Sequence, residues 1–112
     1  MTKTSSDIHE RDIRKELKKR IEAYGGEIRA VAWLGRRHAP DVLALFPFDA
    51  PRPIGWHDEA GVEMHHPFIE TKAPDGVLNA GQLREHKRMR AAGCIVLVIS
   101  TFKQLDDWLP PV

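Results

Sequence analysis

Apolar residues recur at helical spacing near the start of the chain. Ile13, Leu17, Ile21 and Tyr24 fall on one stripe of a helix predicted over Asp7–Tyr24, and Gly25-Gly26 ends the pattern. Residues 1–6 read as a frayed start. Ile28–Leu34 alternates, with Arg29 on one face, and predicts a strand. Gly35–Pro40 (GRRHAP) is a basic turn, and Asp41–Phe46 (DVLALF) is a buried strand by its nearly unbroken apolar run. Residues 47–66 are rich in Pro, Gly and His. They are too long for a hairpin connection, which predicts a functional excursion or a mobile loop. Phe68–Lys72 (FIETK) is a third strand. Asn79 starts a second helix that runs to Ala92 before Gly93, and Cys94–Ile99 (CIVLVI), the most apolar run, predicts a central strand. A last helix over Lys103–Leu109 carries Leu105, Trp108 and Leu109 on one face before Pro110-Pro111. The fold class is α/β, in the order α-β-β-β-α-β-α. The third strand, second helix and fourth strand require a right-handed crossover, which gives a mixed sheet flanked by helices. No repeat or linker divides residues 1–112, so one domain is expected.

Composition narrows the function classes. The 112 residues (12.7 kDa) are 42% hydrophobic and 29% charged, enough for one core and unlike a disordered or collagenous chain. No apolar run approaches the ~20 residues that span a bilayer, and the first residues lack a signal-peptide core, so no membrane is expected as a partner. A single cysteine, Cys94, excludes an internal disulfide and an all-cysteine zinc site. It fits a reducing interior, hence a cytoplasmic location, and reads as a small core residue. Lys and Arg (17) nearly balance Asp and Glu (16), a net charge of +1, so only the distribution of charge can mark a nucleic-acid binder. The first helix mixes six cations with acids and reads as a solvated face. The second is sharper, with Arg84, Lys87, Arg88 and Arg90 against Glu85. With Arg36 and Arg37 beside Asp41, Arg84, Lys87 and Arg88 are the candidate phosphate contacts, and a basic solubilising helix is the plain alternative.

The candidate chemistry lies at one sheet end. Phe68, Glu70 and Lys72 share a strand face because side chains alternate. If the second and third strands pair antiparallel, Asp41 falls beside Glu70 and Lys72. Two carboxylates and an ammonium then converge. With the Thr71 backbone carbonyl, they suit Mg²⁺ or Mn²⁺ and phosphodiester hydrolysis. Glu10 sits on the apolar stripe of the first helix, either in a capping box with Asp7 or as a third metal-binding acid. The local pattern favours the cap. Gln82 has the same ambiguity, since Asn79-x-x-Gln82 is also a capping box. His86 reads as a passive surface histidine.

These residues, in this order, resemble a known family: Glu10, Gly25-Gly26, Gly35-Arg36-Arg37-x-x-Pro40-Asp41, Glu70-Thr71-Lys72-x-Pro74, Gln82-x-x-Glu85-His86 and Arg90-x-x-Gly93. The pattern resembles the VRR-NUC domain of the PD-(D/E)XK nuclease superfamily, which includes stand-alone phage proteins, over roughly Glu10 to Trp108. The resemblance implies a restriction-endonuclease-like core. It implies Asp41 and Glu70 as metal-binding acids, Lys72 as the catalytic lysine and Gln82 as a helix residue near the scissile phosphate. It turns Glu10 toward a site role. It further implies a Mg²⁺- or Mn²⁺-dependent DNA endonuclease, a homodimer acting on branched DNA such as a four-way (Holliday) junction, in a bacterial or phage-infected cell. Trp108, Leu109 and the second helix are candidate interface parts.

Two features depart from the family. Residues 47–66 replace a short turn and carry Trp56, His57, Asp58, Glu59, Glu63, His65 and His66. Thr71 stands where an apolar residue is commoner, and its side chain is expected to face away from the site with little effect. Two other readings compete: a DNA-binding module that cuts nothing without a partner, and an interaction protein that holds a transition metal in the histidine-rich loop.

Overall fold

The computed structural model describes residues 8–35, 37–47 and 65–111. Its elements are α1 (Glu10–Ala23), β1 (Glu27–Ala30), β2 (Val42–Leu45), β3 (Phe68–Thr71), α2 (Ala80–Ala91), β4 (Val96–Ile99) and α3 (Phe102–Trp108), in the predicted order. The four strands form one sheet in the order β1-β2-β3-β4. The β1–β2 and β2–β3 pairs are antiparallel, and β3–β4, joined through α2, is parallel. The mixed sheet is therefore as expected.

The sheet separates two helical layers. Ile13, Leu17 and Ile21 of α1 and Leu105 and Trp108 of α3 pack with Leu109 against Val42, Ala44, Ile69 and Ile99, all buried. The Arg20 guanidinium ties these two helices together, donating to Glu16 (2.9 Å), Asp106 (2.6 Å) and the Leu109 carbonyl (2.9 Å). Side chains alternate along β3, so while Ile69 and Thr71 face α1, Glu70 faces α2, where it meets His86.

Three expectations need correction. The fourth strand lies at a sheet edge, not the centre. Its apolar run follows from helices packing against it: α2 and α3 both contact β4, burying Val96 and Ile99 and half-burying Leu97 and Val98. β1 stops at Ala30 rather than Leu34. The Val31 amide still donates to the Asp41 carbonyl (2.8 Å), but the chain then turns, Gly35 takes a positive φ of 75°, and Leu34 is 97% exposed. Trp108 and Leu109 belong to the core, at 7% and 0% exposure, and are not interface residues. The Asp7 cap, the frayed residues 1–6 and loop residues 48–64 lie outside the described residues.

Gly26 lets α1 return tightly onto the sheet. A Cβ there would stand 2.9 Å from the Leu45 carbonyl oxygen and 2.8 Å from the Phe46 ring. Backbone cannot yield as a side chain can. Gly26→Ala is expected to cost roughly 1–3 kcal/mol of stability, read as a lower urea midpoint. An unchanged midpoint would contradict this packing.

Candidate active site

The β2–β3 register sets the site. Val42 pairs with Ile69 and Leu43 with Phe68, so one step further along the ladder sets Asp41 against Glu70. Asp41 is held from its other side by Val31, and the buried Pro40 before it is capped by the Trp33 indole, which donates to its carbonyl (2.6 Å). Lys72 continues β3, its amide donating to the Ile99 carbonyl (3.0 Å). The antiparallel pairing expected of these strands thus brings the Asp41 and Glu70 positions together.

On the α1 side, four residues form one network. Thr71, fully buried, donates its hydroxyl to Glu10 (2.9 Å). Arg14 donates to the Thr71 hydroxyl (3.0 Å) and to both Asp41 carboxylate oxygens (3.1 Å each), with Glu10 at 3.5 Å. The capping role for Glu10 is therefore wrong: His9 is the N-cap residue, and its amide donates to Asp12 (2.8 Å). Thr71 also differs from expectation. Its side chain does leave the Glu70 face, but it arrives at Glu10, Arg14 and, through Arg14, Asp41. Arg14 was not anticipated, because its i,i+4 spacing from Glu10 looks like any helix-surface ion pair.

On the α2 side, Glu70 is 7% exposed and lies 3.3 Å from His86 Nε2. Burial first, then the charge of Asp41, pushes the Glu70 carboxyl up to about 7; Lys72 opposes the rise, Glu10 adds to it and Arg14 opposes it. Burial, aided by Arg90 and Lys72, lowers the His86 pKa despite the opposing charge of Glu85, so the ring is neutral at pH 7. His86 is fully buried and not a surface residue, and its Nδ1 has no hydrogen-bond partner among the described residues. The signal was present in the sequence: His86 and Met89 lie three apart, and both are buried on the α2 face.

The remaining candidates are less engaged. Gln82 completes the α2 capping box, accepting from the Asn79 amide (3.0 Å) while its own amide donates to the Asn79 side chain (2.8 Å). Arg37, Arg84, Lys87 and Arg88 are exposed, and Arg88 is paired with Glu85 (3.0 Å). His38 packs directly on Gly81, so the basic β1–β2 turn touches the start of α2. Arg36 lies outside the described residues, as do Trp56, His57, Asp58, Glu59 and Glu63.

Among the described residues, no group of three or more His, Cys, Asp or Glu side chains is gathered tightly enough to hold a metal. The donor chemistry nevertheless fits a hard divalent cation. Asp41 and Glu70 are oxygen donors at facing positions of the β2–β3 ladder extended by one step, and the charge of Asp41 adds to the cost of charging Glu70. Mg²⁺ keeps several waters and is commonly bound through one or two carboxylates.

No family model matches the chain, and no curated protein does. A solved structure described as a VRR_NUC domain is 35% identical in sequence, with a TM-score of 0.67 over 88% of this chain and 90% of that one. The chain belongs to the VRR-NUC family. The α-β-β-β-α-β-α order is that of the VRR-NUC fold, a nuclease domain of the PD-(D/E)XK type. No helix among the described residues is long and apolar enough to cross a membrane.

The Glu70 environment in this VRR-NUC domain predicts a pH signature. The folded state keeps a proton on Glu70 that the unfolded chain releases near 4.5. Its contribution to stability is therefore complete below about 4.5 and is lost as pH rises through about 7. The thermal midpoint of the metal-free parent, relative to Glu70→Gln, should fall across that window. A constant difference would show that Glu70 is not strained.

Proposed function

We propose that the protein is a divalent-metal-dependent DNA endonuclease that hydrolyses phosphodiester bonds, selective for branched DNA and working as a homodimer. The observation that carries this reading is the meeting of the Asp41, Glu70 and Lys72 positions at one sheet end of a VRR-NUC fold. Asp41, Glu70 and the Thr71 backbone carbonyl are the assigned ligands of Mg²⁺ or Mn²⁺, with Glu10 on the α1 side as a further acid. Held there, such an ion would supply Lewis acidity toward a phosphodiester oxygen and toward water. Lys72 orients the attacking water and offsets charge on the phosphorus oxygens. His86 holds the Glu70 carboxyl from behind. Gln82, at the N-terminus of α2, faces the scissile phosphate in this reading, where helix amide groups favour an anion. Arg36, Arg37, Arg84, Lys87 and Arg88 are assigned to flanking phosphates. Two-fold symmetry would present two such sites to the two strands of a junction.

One observation favours a second reading, a DNA-binding module that does not cut alone. Both Asp41 oxygens accept from Arg14, so the acid already has a counter-ion. Cleavage assays separate the readings. Purified protein with Mn²⁺ should cut flap, splayed-arm or four-way DNA in preference to linear duplex. Asp41→Ala, Glu70→Ala and Lys72→Ala should each lower the rate by roughly 10²–10³-fold. Variants that cut as fast as the parent would overturn the assignment, and binding without metal-dependent cleavage would favour the silent module.

A further inference from the structure

One face of α1 presents cations without acids to the sheet edge. A groove of about 370 Å³ runs between α1 and the edge strand β1. Arg11, Arg14, Lys15 and Lys18 line it from the helix and Arg29 from the strand, while Ile28 and Val42 contribute apolar surface. Among the described residues, no acid lines it. Asp12, Glu16 and Glu22, which share the helix with these cations, line a neighbouring depression with Lys19 and Phe102, and Lys15 and Lys18 border both hollows.

Three of the five cations have partners: Arg29 pairs with Glu27 (2.6 Å), Lys18 with Glu22 (3.6 Å) and Arg14 with Asp41 (3.1 Å). Arg11 and Lys15 are exposed and have no ion pair or hydrogen bond among the described residues. The partners of Lys18 and Arg29 are themselves exposed, so those pairs are weak and readily exchanged for another anion. Arg14 belongs both to this groove and to the carboxylate network, which makes the groove continuous with the Asp41 end of the sheet. The exposed cations of α2 lie across the sheet, on the Glu70 and His86 side.

We infer that the α1–β1 groove binds the sugar-phosphate backbone of a DNA strand and leads it to the sheet end that carries Asp41. The sign of the charge selects a polyanion. A groove lined by long, flexible cations and aliphatic side chains, without aromatic rings, fits phosphate and sugar better than stacked bases. The inference rests on the nuclease reading for where the strand leads, but not for the binding itself.

Binding of a fluorescent four-way junction and of a single strand, measured by anisotropy in Ca²⁺ over a salt series, tests it. Arg11→Glu/Lys15→Glu should weaken binding roughly 20–60-fold at 0.1 M salt and reduce the slope of log K against log salt by about 1.4–1.8. Arg11→Gln/Lys15→Gln, with a smaller change in surface charge, carries the same test if the double glutamate variant does not fold. Parent-like affinity and slope in a folded variant would overturn the groove and leave the nuclease reading standing. Weaker binding by a protein that never cleaves would support the groove and sink the nuclease reading alone.

Discussion

Carboxylates collected at one end of a buried sheet repel one another, and the rest of the site is arranged around that repulsion. Asp41, one residue before β2, falls opposite Glu70 of β3 when the ladder is extended by one step, and Glu10 approaches from α1. The fold answers the charge in two ways. A guanidinium, Arg14, spans Asp41, Glu10 and the Thr71 hydroxyl. Glu70, which Arg14 does not bond, keeps its proton up to about pH 7. A divalent cation held between Asp41 and Glu70 would relieve both devices at once, which is the physical content of the metal-dependent reading.

The two halves of the site come from opposite faces of one strand. Alternation along β3 sends Thr71 to α1 and Glu70 to α2, so each helix controls one part of the constellation. Thr71, fully buried, sets its hydroxyl between an acid and a guanidinium, accepting from Arg14 and donating to Glu10. His86 plays the matching part on the other face, where a neutral ring packs behind a carboxyl that burial keeps protonated.

Most of the architecture was legible because it is periodic. The α1 stripe, the β2 run and the FIETK alternation each predicted their element, and the antiparallel pairing expected of the second and third strands brings the Asp41 and Glu70 positions together. What sequence could not reach was the identity of neighbours. The local spacing of Glu10 fits a cap and the family resemblance turns it toward the site, but only the α1–β3 packing reveals Thr71 as its partner. Arg14 and Glu10 sit four apart, which describes countless surface pairs, and the third member, Asp41, is 27 residues away. β4 looked central because covered edge strands and central strands have the same composition. The groove that α1's cations form without its acids is likewise invisible until β1 lies beside the helix.

The central claim is that Asp41 and Glu70 share one cation. A crystal structure of the protein grown with Mn²⁺, phased on the metal's anomalous signal, tests it most directly. The account predicts a single strong peak within bonding distance of both carboxylates, with the Arg14 guanidinium withdrawn from Asp41. Asp41 still bound by Arg14, with no anomalous peak between the two strands, would contradict it.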